Sequence, residues 1–80
     1  MEFKGVKGKW SYKHEYEAVY SESGYVIADV FPGGQEANGL LISKAPEMLQ
    51  MLIDIMDTLE NGDTPHIYKI DELIKEATEL

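Results

Sequence analysis

A proline interrupts the longest helical pattern of this 80-residue chain, and this limits the folds open to it. Apolar side chains recur three or four residues apart from Ala37 to Leu59, the spacing of one helix face. Pro46 lies inside the run, where its ring clashes with the carbonyl of Ile42 at a cost of about 3 kcal/mol. The pattern therefore predicts a helix over about residues 36–60. This helix is either kinked near Pro46 or broken, with Pro46 in the first turn of a second piece.

Two other residues of this run are predicted to shape the backbone. Gly39 tolerates the close approach of another segment, at roughly 0.5–1 kcal/mol relative to alanine. Asn38 is a polar residue at the start of an apolar stripe, and it either caps the helix or bonds a neighbouring loop. We expect Asn38, Gly39 and Pro46 to form a structural motif.

The central part of the helix is more apolar than one sheet face requires. Seven of the nine residues from Met48 to Met56 are apolar. A helix that is apolar nearly all round must be covered on a second side. The pattern predicts a homodimer or higher homo-oligomer that buries four residues: Leu49, Met51, Ile53 and Met56. The alternative is that these side chains fill the core of one small domain.

The rest of the chain predicts an α+β fold. Residues 9–31 contain three β-rich stretches, and Ser21–Gly24 reads as a hairpin turn between two of them. A second amphipathic helix is predicted over about residues 65–79. We expect a single domain over residues 1–80, with a three-stranded antiparallel meander followed by two helices, in the order βββαα.

Composition excludes several classes of protein. The chain has no cysteine, which rules out disulfides and cysteine-based zinc sites, and its two histidines lack metal-ligand spacing. The formal net charge of −8 argues against binding to duplex nucleic acid. There is no signal peptide and no apolar run long enough for a membrane span, so we expect no membrane association and a cytoplasmic location.

The basic residues suggest one binding patch. Lysines supply charge to phosphates, and an aromatic face stacks a base for about 1–3 kcal/mol. The candidate ligand-binding residues are Lys7, Lys9, Trp10, Tyr12 and, across a dimer interface, Lys44. The alternative is that Trp10 anchors the small core and the lysines form a solvated edge.

No pattern of catalytic residues stands out. The serines near the turn lack a nucleophile elbow, and residues 32–36, PGGQE, lack the Lys-Ser/Thr of a phosphate-binding loop. We therefore expect no enzyme, no catalytic residue, no cofactor and no bound metal.

Residues 37–49, ANGLLISKAPEML, resemble a motif of small phage and prophage proteins, A-N-A-x-L-I-x-x-A-P-E-(M/L)-L. In Lys7-Gly8-Lys9-Trp10, the residues Gly8-Lys9-Trp10 match the G-x-W part of the (K/T)-x-G-x-W segment with which those proteins begin. Residues 24–28, GYVIA, match their G-x-x-I-A strand, and they end in a short acidic helix. Gly39 departs from the pattern, which has alanine there, and the difference bears on the rigidity of this turn.

The resemblance implies a phage origin and an accessory role in the cytoplasm of an infected bacterium. Together with the absent catalytic pattern, it suggests a non-enzymatic protein that binds a host protein or a small nucleotide-type signal. Such a protein would act as an inhibitor or as a signal sponge in counter-defence. The alternative is a homo-oligomeric structural or regulatory phage protein with no small ligand.

Overall fold

The computed structural model describes residues 3–79, and its first half is a three-stranded antiparallel sheet. The strands are β1 (Trp10–Lys13), β2 (Ala18–Ser21) and β3 (Val26–Asp29), in the order β1-β2-β3. A short 3-10 helix over His14–Tyr16 joins the first two strands. The predicted antiparallel meander is confirmed.

The turn between β2 and β3 follows from its residues. The Gly24 N–H donates to the Ser21 carbonyl at 3.0 Å, and Gly24 takes a φ of +90° that favours glycine. The Ser21 hydroxyl accepts the N–H of Tyr25 at 3.1 Å. Ser21 is thus buried and bonded at the hairpin, as the turn chemistry predicted.

The described second half contains three α-helices, so the prediction of two helices was wrong. They are α1 (Gln35–Ser43), α2 (Ala45–Glu60) and α3 (Ile67–Thr78). Lys44 separates the first two helices, and Pro46 falls in the first turn of α2. At that position the missing proline N–H belongs to a turn that has no intrahelical partners, so Pro46 is tolerated without a lost hydrogen bond.

Helix α1 lies across the sheet and packs mainly on β1. A Cβ placed on Gly39 would lie 2.6 Å from Cγ of Tyr12, so only glycine lets the tyrosine ring rest on the helix backbone. Val19, on the central strand β2 and paired with Tyr12 across the sheet, is fully buried. Gly39 therefore sets the distance between α1 and the sheet.

Helix α3 returns along the other two helices and contacts both. It buries Ala77, and Ile70 and Leu73 are half-buried on the same face. None of the described helices combines the length and apolar character that a bilayer crossing needs.

The apolar core is small. Among the described residues only Ala18, Val19, Val30 and Ala77 are buried hydrophobic side chains. The radius of gyration is 14.2 Å, against roughly 12 Å for a compact domain of this length. A single chain thus leaves much of its apolar surface outside the core.

Helix α2 accounts for much of that surface, since none of its described residues is buried. Four apolar residues spaced three, four and three apart form one exposed face, which we term the α2 stripe: Leu49, Leu52, Met56 and Leu59. They are 38%, 64%, 37% and 59% exposed, respectively. The same helix carries a polar face where Gln50 donates to Asp54 at 2.9 Å.

Candidate functional site: a cleft beside Trp10

Trp10 is the first residue of β1, and its side chain organises the segment that precedes the strand. The indole N–H donates to the carbonyl of Val6 at 3.2 Å. The ring meets Phe3 edge-on, with the ring centroids 6.2 Å apart and an interplanar angle of 62°. Trp10 therefore holds residues 3–8 against the body of the protein.

Lys7 lies on the same segment. Its ammonium group donates to the carbonyl oxygen of Phe3 and lies 6.0 Å from the centroid of the Phe3 ring. This distance is at the limit of a cation–π contact. Phe3 thus fixes the lysine close to Trp10.

A cleft of about 470 Å³ opens between this segment and the start of α2, and we term it the tryptophan cleft. One wall consists of Phe3, Val6, Lys7, Gly8 and Trp10, and the other of Ala45, Pro46, Leu49, Gln50 and Ile53. The volume lies within the range of about 300–1,000 Å³ that small-ligand sites occupy. Among the described residues, the walls are mostly apolar and include the Lys7 ammonium group and the Gln50 amide, which can orient a ligand.

A second cleft of about 360 Å³ lies on the other side of Trp10, between β1 and α1. It is lined by Tyr12, Lys44, His14 and Glu36, among others. His14 Nδ1 and Glu36 Oε1 are 3.1 Å apart and both side chains are largely exposed. The lining of this cleft therefore includes an acidic side chain as well as a lysine, whereas none of the described residues that line the tryptophan cleft is acidic.

Tyr12 lies between the second cleft and Gly39. Its hydroxyl oxygen is buried and has no hydrogen-bond partner in the described structure. Burial, and then the carboxylates of Glu17 and Glu36, raise the pKa of Tyr12 above its usual value. The phenol is therefore held in its neutral form, as a packing group.

The structure divides the predicted ligand-binding residues between these places. Lys7 and Trp10 meet in the tryptophan cleft, whereas Tyr12 and Lys44 line the second cleft. Lys9 is exposed and lines neither of the two clefts. The five residues do not form one patch.

The residues predicted for an oligomer interface are also divided. Leu49 and Met56 belong to the α2 stripe, and Ile53 lines the tryptophan cleft. Met51 is half-buried and lies towards α3, beside Ile70. Met51 therefore serves the contact between helices of one chain.

The predicted structural motif lies in the middle of α1 and at the start of α2. Asn38 Nδ2 donates to the Gly33 carbonyl at 3.4 Å and joins the helix to the preceding loop. Ser43 is buried, and its hydroxyl donates to the Leu40 carbonyl at 2.6 Å. Together with Gly39 and Pro46, these residues set the course of the chain from the sheet to α2.

Sequence reasoning missed Phe3, Val6 and Gln50 as cleft residues. Phe3 and Val6 are the apolar residues of an otherwise lysine-rich segment just before Trp10. Apolar residues at these two positions indicate that the segment packs against the protein, and they could have identified Phe3 and Val6 as cleft residues. No comparable signal marked Gln50, which lies on the polar face of α2.

In the described part of the chain, no three histidine or acidic side chains cluster as metal ligands would. The chain matches no protein-family model, no curated protein and no solved structure.

Proposed function

We propose that this protein is a non-enzymatic binding protein of phage origin that holds a small nucleotide-type anion in the tryptophan cleft. It acts as a homo-oligomer in the cytoplasm of the host bacterium. The observation that carries the proposal is the meeting of Trp10, Lys7 and an apolar wall of α2 around about 470 Å³.

The composition of the cleft suits a ligand that is part flat and apolar, part anionic. An aromatic side chain at the wall stacks a nucleobase for about 1–3 kcal/mol. Lys7 supplies positive charge near the same ring, and the Gln50 amide offers both a donor and an acceptor. These are the groups that fix orientation in an otherwise hydrophobic site.

The charge distribution favours an anion in this cleft above other places. The sequence carries 15 acidic residues against seven lysines. None of the described residues that line the tryptophan cleft is acidic, and the N-terminal end of α2 contributes Ala45 and Pro46 to it. Helix N-termini carry a partial positive charge, which adds to that of Lys7.

The biological role is sequestration of a host signal. A protein of this size that binds a signalling nucleotide lowers its free concentration without a chemical reaction. A counter-defence protein of a phage would act in this way. The resemblance of residues 37–49 to a phage-protein motif supports this setting.

Titration calorimetry against a panel of cyclic and linear nucleotides tests the proposal. Trp10 is the only tryptophan of the sequence, so its fluorescence reports on the same cleft. We expect Lys7→Gln to weaken binding about tenfold, the value of one charge-assisted contact.

The matched control is Lys4→Gln, because Lys4 lies in the same segment but does not line the cleft. It should bind as the unmodified protein does. The proposal is wrong if no nucleotide of the panel produces heat or changes the Trp10 emission.

A second candidate is a homo-oligomeric structural or regulatory phage protein without a small ligand. The α2 stripe favours it, since a protein whose main exposed feature is an apolar helix face is suited to assembly. A deletion phage that grows equally on defended and undefended hosts would favour this candidate over counter-defence.

A further inference from the structure

The exposed surface of the chain is larger than one small domain normally has. It amounts to 5922 Å², whereas a compact monomer of this mass exposes about 4,900 Å². The excess is roughly 1,000 Å², slightly more than the 800 Å² or so that each partner buries in a stable interface. The excess exposed surface of the chain is therefore about as large as the area that one partner buries in a stable interface.

The residue spacing of the α2 stripe indicates how that surface could pack against a partner. Leu49, Leu52, Met56 and Leu59 repeat at intervals of three, four and three residues, which is the spacing of helices that pack side by side along their length. A helix of 16 residues is about 24 Å long. This length gives the stripe room to pair with one other helix.

We propose that the α2 stripe binds the α2 stripe of a second copy of this chain, with the two helices antiparallel. The inference rests on the proposed homo-oligomer and specifies its partner, surface and orientation. The twofold axis crosses the helix pair at the level of Asp54, whose side chain lies on the opposite face of α2 from the stripe. Leu49 then packs against Leu59 of the second copy, and Leu52 against Met56 of the second copy.

The stripe is symmetric about that point, as a twofold interface requires. Leu49 and Leu59 are each five residues from Asp54, and Leu52 and Met56 are each two residues from it. An isologous contact pairs each residue with its mirror position on the other copy. All four exposed side chains therefore find apolar partners without a gap at either end.

Charge favours the antiparallel orientation over the parallel one. The last turn of α2 contains Asp57 and Glu60 and no basic residue. Antiparallel packing places these acids beside the positive N-terminal end of the other α2, near Lys7. Parallel packing would place them beside their own copies, where like charges repel.

The same arrangement brings the second copy to the tryptophan cleft. Pro46, Ile53 and Glu60 share one flank of the stripe, seven residues apart, and the first two line the cleft. In an antiparallel pair this flank lies beside the same flank of the other helix. Ile53 and Glu60 of the second copy therefore lie beside the cleft, and Glu60 brings a negative charge near Lys7, so dimerisation should weaken the binding of an anion there.

Cysteine cross-linking tests both surface and orientation, because the natural sequence has no cysteine to interfere. A mixture of Leu49→Cys and Leu59→Cys chains should form a disulfide-linked dimer, whereas neither variant should do so alone. In the antiparallel pair, identical positions are about 15 Å apart, beyond the roughly 7 Å that a disulfide spans.

The control is Asp54→Cys on the polar face of α2, which should not cross-link. Self-linking of Leu49→Cys and of Leu59→Cys, with no disulfide between the two different variants in the mixture, would overturn the antiparallel orientation. No linking in any combination would overturn the interface itself.

A mass measurement gives an independent test. Sedimentation equilibrium should show twice the 9.0 kDa chain mass at high micromolar concentration. Leu52→Glu should raise the dimer Kd at least about 100-fold, because two leucine contacts of at least tenfold each are lost per dimer. Leu41→Glu, at a position 49% exposed on α1, should leave the Kd unchanged.

A mass of one chain throughout the concentration range would overturn the proposed pairing. Nucleotide titrations of Leu52→Glu separate this result from the proposed function. Loss of dimer with retained binding at Trp10 in Leu52→Glu leaves the ligand proposal standing. An unmodified protein that forms the dimer but binds no nucleotide refutes the ligand proposal alone. Circular dichroism of the variant checks that its helices remain folded.

Discussion

Helices α1 and α2 follow each other with only Lys44 between them, yet their surroundings differ completely. In α1, Gly39 and Ser43 are buried and the helix rests on the sheet. In α2, which is nearly twice as long, no described residue is buried. The more apolar of the two helices is thus the less covered one.

The apolar content of a helix therefore does not by itself indicate which helix forms the core. Helix α1 reaches the sheet because a glycine and a small serine allow close approach. The larger side chains of α2 stand outside that contact and need a partner elsewhere. In our account, α1 is held by its own chain and α2 by a second copy.

The largest expected effect comes from the region under α1. Val19→Ala removes two methyl groups from a side chain with no exposed surface, and should lower the free energy of unfolding by about 2 kcal/mol. The loss should be the same at low and high protein concentration, because the contacts lie within one chain. Urea unfolding followed by circular dichroism measures it.

Leu52→Ala is the matched change in the other region. It should have little effect at low concentration and a growing effect as dimers form, because binding stabilises the folded state by mass action. A large loss at every concentration would place Leu52 in the core of the single chain and contradict the comparison.

A smaller effect is expected where α1 meets the sheet. Gly39→Ala should lower the free energy of unfolding by about 1 kcal/mol, because the cost of overpacking against Tyr12 exceeds the gain in helix propensity. In a Tyr12→Leu background the same change should become stabilising. Thermal or urea unfolding of the four proteins in this double-mutant cycle would measure the coupling.

If Gly39→Ala has the same effect in both backgrounds, Tyr12 is not what requires glycine at this position. The cycle also addresses the departure from the phage motif, which has alanine there. We expect that the effect of Gly39→Ala on the free energy of unfolding depends on whether residue 12 is tyrosine.

The smallest effect concerns the protonation of Tyr12. Its raised pKa means that the folded chain keeps the phenol proton at a pH where the unfolded chain loses it. This contribution to stability is complete below the usual tyrosine pKa and is lost as the pH rises through the raised one. Tyr12→Phe should reduce the alkaline loss of stability, as urea midpoints at neutral and alkaline pH would show.

At neutral pH, Tyr12→Phe should leave stability unchanged or increase it, because the buried hydroxyl has no hydrogen-bond partner among the described residues. Tyr25→Phe is the control, since that side chain is 65% exposed. An alkaline loss that is equal in the unmodified protein and in Tyr12→Phe would show that another group is responsible.

Much of the fold was predictable from local patterns. Alternation along β1 and the turn residues at Ser21–Gly24 give the meander, and the three-and-four spacing gives the helical second half. The sequence left open whether the long helix is kinked or broken, because the apolar spacing continues through Lys44, whereas α1 ends at Ser43 and α2 begins at Ala45. The spacing of apolar residues indicates which helix faces are apolar, but it does not reveal a one-residue break in the helix.

The candidate site was less predictable. Lys7 and Trp10 are close in sequence and come together as expected, but Lys44 lies on the far side of Trp10. Leu49 and Ile53 were predicted for an interface and prove to line the cleft. Leu49 and Ile53 line the cleft because α2 packs beside the N-terminal segment. No local sequence pattern specifies this long-range contact.

Amide hydrogen exchange at several protein concentrations tests the central claim most directly, because it reads α1 and α2 separately in one experiment. Protection in α1 should be the same at all concentrations, since the sheet of the same chain holds it. Protection in α2 should rise with concentration in the unmodified protein and stay low in Leu52→Glu. Protection of α2 that is independent of concentration would contradict the account.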